Sequence, residues 1–509
     1  MPIRMYVSAD RFDRNNKLVF FFYQIGVVNL LHFLYFSIKI PNVDSVDDKI
    51  QPVIDAVNRG FTVLFYPEGR LNFKEETSEL KKGVFLLKQK LPQQLMLLCI
   101  FSFKDDLFGR LFVGKTIDES WNNLSQSDFL YKLRLLMDRI SGFLNENHSF
   151  AFIIHPRNMR DVYKKFPFFK YLPKSIVRLI LYNFPPIVVS EVTGLRTIKD
   201  SIPIKGYIIS IPITAEVMDK NRSLTQDHII SAIKLAKKNG CSMAGLGGLI
   251  SSYTMGGVSL VGKIDNIGIT TGHAFTGYNV ANNFFAVANY YGVNTSKEKV
   301  SIIGANGSVG SIVAKILVDR GVQEIVLIDV KGNSERINKL VDELYAINNK
   351  VKIHVSYNMN AIKDTRFIVT ATNSKESLIT KDLVLPGMVI IDDAQPSDIA
   401  DDVLNMREVL CLEAGVVYTP GISPNFNIGL KSVNDNFCCM AELMCLSALE
   451  YKDNYVIFRA NLMQTREMSK VAKSLNFRLG SFQNRKTLIS DNFLHTFETF
   501  FKTWPSKNF

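Results

Sequence analysis

The sequence predicts an α/β fold divided among several domains, and three observations carry that expectation. Residues 300–329 run strand, glycine turn, helix, strand, acid. An apolar run from Val300 to Ile303 meets Gly304, Gly307 and Gly310; Ile312, Val313, Ile316 and Leu317 follow at helical spacing, and Ile325–Ile328 closes on Asp329. Strand and helix patterns go on alternating beyond Asp329 as far as Val417. Finally, 509 residues exceed what one hydrophobic core organises, so about two to four domains are expected.

The order around the glycines is the one a Rossmann dinucleotide-binding βαβ unit requires. Gly304 permits the tight turn, Gly307 lets backbone approach a pyrophosphate, and Gly310 lets the helix lie close to the sheet. Asn306, Ser308 and Val309 complete the turn and open the helix, whose N-terminus offers unpaired N–H groups and the positive end of a dipole. Asp329, 25 residues after Gly304, favours a free ribose 2′-hydroxyl and hence NAD(H). Lys331 and Arg336 suit a 2′-phosphate instead, and both coenzymes stay open on the residues alone. The pattern continues with a helix over 335–346 and a strand over 351–356. A strand at Phe367–Thr370 then runs into Ala371 and Thr372, so that Thr370, Ala371 and Thr372 put small polar groups at the sheet edge where a nucleotide lies. The strand 388–394 ends in Asp392 and Asp393, expected to be loop acids held by local backbone, and 409–417 closes the sheet.

Composition narrows the class. A hydrophobic fraction of 47% excludes a largely disordered chain. A formal charge of +12 argues for an anionic partner, either phospholipid or an acidic carrier protein. Without zinc-knuckle spacing or Arg/Gly repeats, no nucleic-acid partner is expected, and no metal site is. Six cysteines without a C-x-x-C pair form no disulfide framework and point to a reducing compartment. No cleavable leader pattern opens the chain. Residues 18–38 carry no charge and are long enough to span a bilayer. Gln24, Asn29, His32 and centrally placed aromatics favour an interfacial or buried segment over a span. The expected location is cytoplasmic, with peripheral contact at the inner membrane.

The first 145 residues are expected to form an α/β segment: a helix at 53–58, a strand at 61–66, an amphipathic stretch at 80–90, a strand at 95–100 and a helix at 127–147. Pro67 and Gly69 end the first strand, so Glu68, Gly69 and Arg70 sit on a turn suited to holding a phosphate. F-Y-P-E-G-R followed by L-K-K-G-V-F-L-L resembles the acyl-acceptor phosphate-binding block of the glycerolipid acyltransferases. The His-x4-Asp block of that family is absent, which leaves a hydroxyl nucleophile without a general base. Residues 1–145 are therefore expected to be a truncated, acyltransferase-like segment.

Further on, a strand at 151–154 runs into H-P-R-N. The basic aromatic stretch 163–174 is expected to be a solvated loop, with an anionic surface or acyl carrier as the alternative use. A strand at 206–213 and a helix at 226–238, capped by Thr225 or Asp227, precede the glycines of 245–248. Residues 268–282 give a strand, then His273 and a helix; an isolated histidine there is more often structural than catalytic. A helix over 433–450 carries Cys438, Cys439 and Cys445, with Glu442 one turn past Cys439 on the same face. By composition alone these cysteines are packing residues.

From about 150 to 482 the chain resembles the long-chain fatty acyl-carrier-protein reductases. The resemblance rests on H-P-R-N with V-Y-K-K-F-P, P-P-I-V-V-S-E-V-T-G, G-L-G-G-L-I-S-S, T-T-G-H-A-F-T, G-A-N-G-S-V-G and F-C-C-M-A-E-L-M, in that order. It implies that Cys439, just before Met440-Ala441-Glu442, is the nucleophile and that the turn at 304–310 holds NADPH. NADH is the alternative, because Asp329-Val330-Lys331 stands where the family places an Arg. His273 stands where the family has Asn, near the nicotinamide or the thioester. The implied activity is reduction of a long-chain acyl thioester, on acyl-carrier protein or CoA, to a fatty aldehyde through a Cys439 acyl-enzyme. Glu442 would handle a proton, and backbone N–H groups near 245–248 would hold the thioester oxygen. The implied domains are 150–285 for substrate, a Rossmann domain at 286–425, a helical segment at 426–482 with the cysteine, and a tail at 483–509. Competing readings are another NAD(P)-dependent oxidoreductase, a bifunctional acyltransferase-reductase, and a non-catalytic lipid- or carrier-binding protein.

Overall fold

A computed structural model describes residues 3–5, 45–59, 62–64, 82–92, 96–102, 110–117, 121–141, 149–329 and 334–504. The chain forms two compact units, Met1–Glu146 with Lys199–Ile202, and Asn147–Ile198 with Pro203–Phe509. In the first, strands Ile3–Met5 and Thr62–Leu64 pair in parallel and Met96–Ser102 pairs antiparallel with Arg110–Ile117. The helix expected at 53–58 begins at Val46 and carries Pro52 inside it; its Ile50, Val53 and Ile54 cluster with Leu87 of the next helix, Lys82–Lys90, and with Leu91 just past its end. Residues 18–38, the turn at Glu68, Gly69 and Arg70, and Lys331 lie outside the described residues. Among the described residues no helix is long and apolar enough to cross a membrane.

The second unit holds two six-stranded sheets. Strands β1 (Ser149–Ile154), β2 (Ile187–Thr193), β3 (Gly206–Ser210), β4 (Cys241–Leu246) and β5 (Gly268–Thr270) build the first, in the order β2-β3-β1-β4-β5 with Ser423–Pro424 outside β2. All its labelled strands are parallel except β2, which runs antiparallel to β3. Between β1 and β2 lie helices α1 (Met159–Lys165) and α2 (Lys174–Asn183), and α3 (Arg222–Lys238) precedes β4. Helix α4 (His273–Tyr290) leads from β5 to the second sheet. There β6 (Lys299–Ile303), α5 (Ser308–Asp319), β7 (Glu324–Ile328), α6 (Ser334–Ile347), β8 (Lys352–Ser356), β9 (Phe367–Thr370), β10 (Val389–Asp392) and β11 (Leu410–Glu413) follow in sequence. The spatial order is β8-β7-β6-β9-β10-β11, every pair parallel. That is the doubly wound dinucleotide-binding order, which reverses between β6 and β9.

Helix α7 (Cys438–Ala448) explains how the sheets share one core. Met440, Ala441, Leu443, Met444 and Leu446 are all buried, so the helix is apolar all round and sits between layers rather than on a surface. Its residues join Phe152 of β1, Phe284 of α4, Ile312 of α5 and Leu412 of β11 in one hydrophobic cluster.

Four local expectations are corrected. The cap of α3 is Asn221, whose side chain accepts from Leu224 N; Thr225 lies inside the helix and donates to Asn221 O at 2.8 Å. The 409–417 strand is two strands, because Val416–Tyr418 leaves the parallel sheet to pair antiparallel with Asp435–Phe437. That pairing also removes 433–437 from the expected helix, so α7 begins at Cys438. The stretch 163–174 is mostly helical: the end of α1, a 3-10 turn over Pro167–Tyr171, and the start of α2.

Candidate active site

The carboxyl ends of parallel strands from both sheets meet. His155 follows β1, Gly247 and Gly248 follow β4, and Thr271 and His273 follow β5. Gly304 follows β6, Ala371 follows β9, Asp393 follows β10 and Gly415 follows β11. All of them line one cavity of about 1060 Å³. Open parallel sheets bind ligands at this end, at the point where strand order reverses.

On the coenzyme side, Gly304 has φ +78°, and a Cβ there would meet Ala371 O at 2.7 Å. A Cβ on Gly310 would lie 2.3 Å from Gly304 O, so α5 rests directly on the turn. Gly307 caps α5 with no side chain, leaving the first-turn N–H groups to face the cavity beside Ser308 and Val309. Asp329 lines the cavity at the end of β7. Ala371 and Thr372 line it too, but Thr370 does not: it is fully buried, and its hydroxyl donates to Asp398, which Thr372 also approaches at 2.6 Å. Arg459, which sequence reading missed, donates to the Asn306 carbonyl at 2.7 Å. Burial, then the neighbouring Arg336 charge, holds its guanidinium below the usual value.

On the other side Cys439, half-buried in the first turn of α7, lines the cavity, whereas Cys438 is buried. Gly272 makes the close approach to Cys439 feasible: its φ is +79°, and a Cβ would fall 2.3 Å from Cys439 Cα. Burial, Asp393 and Glu442 push the Cys439 thiol up to about 12, while its own and the Met440 backbone N–H groups at the helix N-terminus pull the other way. Glu442 is fully buried and absent from the cavity lining. It accepts from Phe275 N at 2.9 Å and from the Thr270 hydroxyl, so it ties the first turn of α4 to α7, and burial raises it to about 7. His273, the first residue of α4, faces the cavity with Nε2 3.4 Å from Ser251 Oγ. Burial lowers it to about 4, so it is neutral at pH 7. Gly247 N is engaged by Ile153 O at 2.9 Å, which takes it out of the set of donors expected around 245–248.

The paired acids separate. Asp392 is held as expected, accepting from Ala394 N at 2.9 Å and Ser397 Oγ at 2.6 Å. Asp393 instead turns its carboxyl over Gly415, where a Cβ would be 2.8 Å from Oδ1, and into the cavity. Burial, then Asp392, raises it to about 8. Thr271, His273, Thr276 and Ser308 line the same cavity, and among the described residues their buried Oγ1, Nδ1, Oγ1 and Oγ atoms have no hydrogen-bond partner. Such groups are costly to bury unless a ligand satisfies them, and with the glycine cradle they fit a dinucleotide and a polar carbonyl substrate. The T-T-G-H-A-F-T string contains both Thr271 and Thr276, and the paired acids contain Asp393, but their place in the cavity, like that of Arg459 at the turn, is set by tertiary structure.

Residues 286–413, which include the whole of the doubly wound sheet, match the family model for shikimate / quinate 5-dehydrogenase. The chain is 25% identical to the long-chain acyl-[acyl-carrier-protein] reductase of Synechococcus elongatus over 267 residues, covering 51% of this chain and 74% of that one. It is 28% identical over 120 residues to the glutamyl-tRNA reductase of Methanococcus aeolicus, covering 23% and 30% of the two chains. It is also 22% identical over 292 residues to the aminotransferase PigE of Serratia sp., covering 55% of this chain and spanning only 33% of PigE. The matched family and two of these three relatives are reductases or dehydrogenases by name, and the fold is the one nucleotide-dependent oxidoreductases use.

Proposed function

We propose that the chain is an NAD(P)H-dependent reductase that converts a long-chain acyl thioester to an aldehyde through an acyl group carried on Cys439. The observation that carries the reading is that Cys439 and the glycine turn line one cavity. In the acylation step the thiol loses its proton and Cys439 Sγ bonds to the acyl carbon; the carrier thiol leaves and takes up a proton. When bound, the reduced coenzyme supplies the hydride that the acyl carbon needs to become an aldehyde, and the bond to Sγ breaks. Neutral His273 and Thr271 flank Gly272, which packs on Cys439, and line the same cavity; they orient the acyl oxygen. Glu442 acts as a positioning residue that sets α7 against α4.

NADPH is the proposed coenzyme, on the resemblance of the glycine turn to that of the acyl-carrier-protein reductases and on Arg459, a cation bonded to the Asn306 carbonyl at that turn; Asp329 keeps NADH as the alternative. The acyl donor is a carrier-protein or CoA thioester, and peripheral membrane contact and a cytoplasmic location belong to the same proposal. Residues 1–145 are read as acyltransferase-like on sequence motifs alone. A second reading, an oxidoreductase for a small hydroxy or keto acid, draws on the family match at 286–413. Assays with palmitoyl-CoA and NADPH separate them: aldehyde is expected from wild type and Cys438→Ala and none from Cys439→Ala. Turnover of a small keto acid with no aldehyde from palmitoyl-CoA rejects the thioester reading.

A further inference from the structure

We infer that the helical excursion 157–184 is a docking surface for an anionic phospholipid membrane. The excursion has a small core of its own, Val162, Phe169, Val177 and Leu181. Burying that face leaves a second set of apolar side chains outside: Phe168 is 57% exposed, Tyr171 88%, Ile176 47% and Leu179 66%, with Leu172 between them. Phe168 and Tyr171 stand on the 3-10 turn Pro167–Tyr171, Leu172 in the extended break after it, and Ile176 and Leu179 on α2, so five large apolar side chains are exposed within twelve residues of one excursion.

Charge selects the partner. Residues 157–184 carry seven Lys and Arg against one acid, Asp161. Arg157 and Lys164 share Asp161, Arg178 pairs with Glu216, and Lys165 donates to Val189 O. Among the described residues no acid pairs with Arg160, Lys170 or Lys174. Lys174 moreover opens α2, where a helix dipole disfavours a cation unless an outside anion lies close by. Lysines interleaved with protruding aromatics and aliphatics are the composition that inserts at a headgroup boundary, with the apolar bodies below and the ammonium groups at the phosphates. An acidic protein would have to supply pockets for five side chains at once, whereas acyl chains accept them in any arrangement.

The inner side of the same excursion lines the cavity through Lys164, Lys165, Phe166, Leu181 and Phe184. A bilayer at the exposed apolar side chains would therefore stand at the cavity's rim. That last step rests on the acyl-thioester reading; membrane binding itself does not.

The test is co-sedimentation of the full chain with vesicles of phosphatidylcholine alone or with about a third phosphatidylglycerol. Binding at least tenfold tighter to the anionic vesicles is expected. A loss of about tenfold is expected in both Tyr171→Ser/Leu179→Ser and K170E/K174E, with NADPH affinity unchanged as the control for folding. Wild-type binding that ignores lipid charge, or variants that bind as wild type, overturns the proposal. So does a wild type that stays in solution, or that instead binds an acidic acyl carrier protein through these residues. Aldehyde formation from soluble palmitoyl-CoA, assayed alongside, fails only if the reductase reading fails.

Discussion

Cys439 starts from an unfavourable protonation state. Its thiol, pushed up to about 12, holds little thiolate at neutral pH, and burial is the largest reason. Acylation by a CoA thioester should therefore quicken by about tenfold per pH unit between pH 7 and 9. A rate constant flat across that range, from stopped-flow or quenched mass measurements, contradicts this assignment. Asp393 makes a second prediction. Its folded value, about 8, lies above the ordinary 3.8, so the fold favours its protonated form. That stability is complete below pH 4, drains away as pH rises towards 8, and is gone beyond it. Asp393→Asn should melt close to wild type at pH 4 and progressively above it towards pH 8.5; equal melting at both ends rejects a buried acid. Residue chemistry alone reads Cys439 as packing, and only the family motif singles it out. The reason is physical: whether a helical cysteine meets a cavity depends on what lies opposite its first turn, here Gly272, which is 167 residues away in sequence.

The elements that matter most are the first turns of α4, α5 and α7. A side chain at Gly272 must both adopt φ +79° and enter the space of Cys439. Gly272→Ala is expected to cost at least about 2 kcal/mol and to abolish acylation. Chemical denaturation checks the first, and a variant as stable as wild type contradicts it. Glu442→Ala should destabilise more than Glu442→Gln, because it strands the Phe275 N–H and the Thr270 hydroxyl in the core. Strands β6, β7 and β9 were legible in the sequence because each is a short apolar run that ends at a glycine or polar residue. The start of α7 was not, because a three-residue strand pairing with Val416–Tyr418 decides it. The stretch 163–174 was misread as a loop for a related reason: its prolines and lysines mask a small tertiary core.

At the scale of the molecule, parallel strands of two sheets bring their carboxyl ends to one cavity, and residues far apart in sequence acquire a joint role. Arg459 and Asn306 are 153 residues apart and bonded, which no local pattern could disclose. Arg459→Ala should weaken NADPH about tenfold and NADH less than about threefold, read by fluorescence titration. Equal losses would place Arg459 at a feature common to both coenzymes. The doubly wound topology itself was visible from the glycine turn and the strand-helix alternation, whereas the first sheet's share of the cavity was visible only as scattered motifs. The central claim is that Cys439 accepts an acyl group in the cavity that also holds the coenzyme turn. Intact-mass measurement after mixing the protein with palmitoyl-CoA, in the absence of nucleotide, tests it most directly. One added palmitoyl group is expected on wild type and on Cys438→Ser and none on Cys439→Ser; an adduct that survives Cys439→Ser, or none on a wild type that turns over, contradicts it.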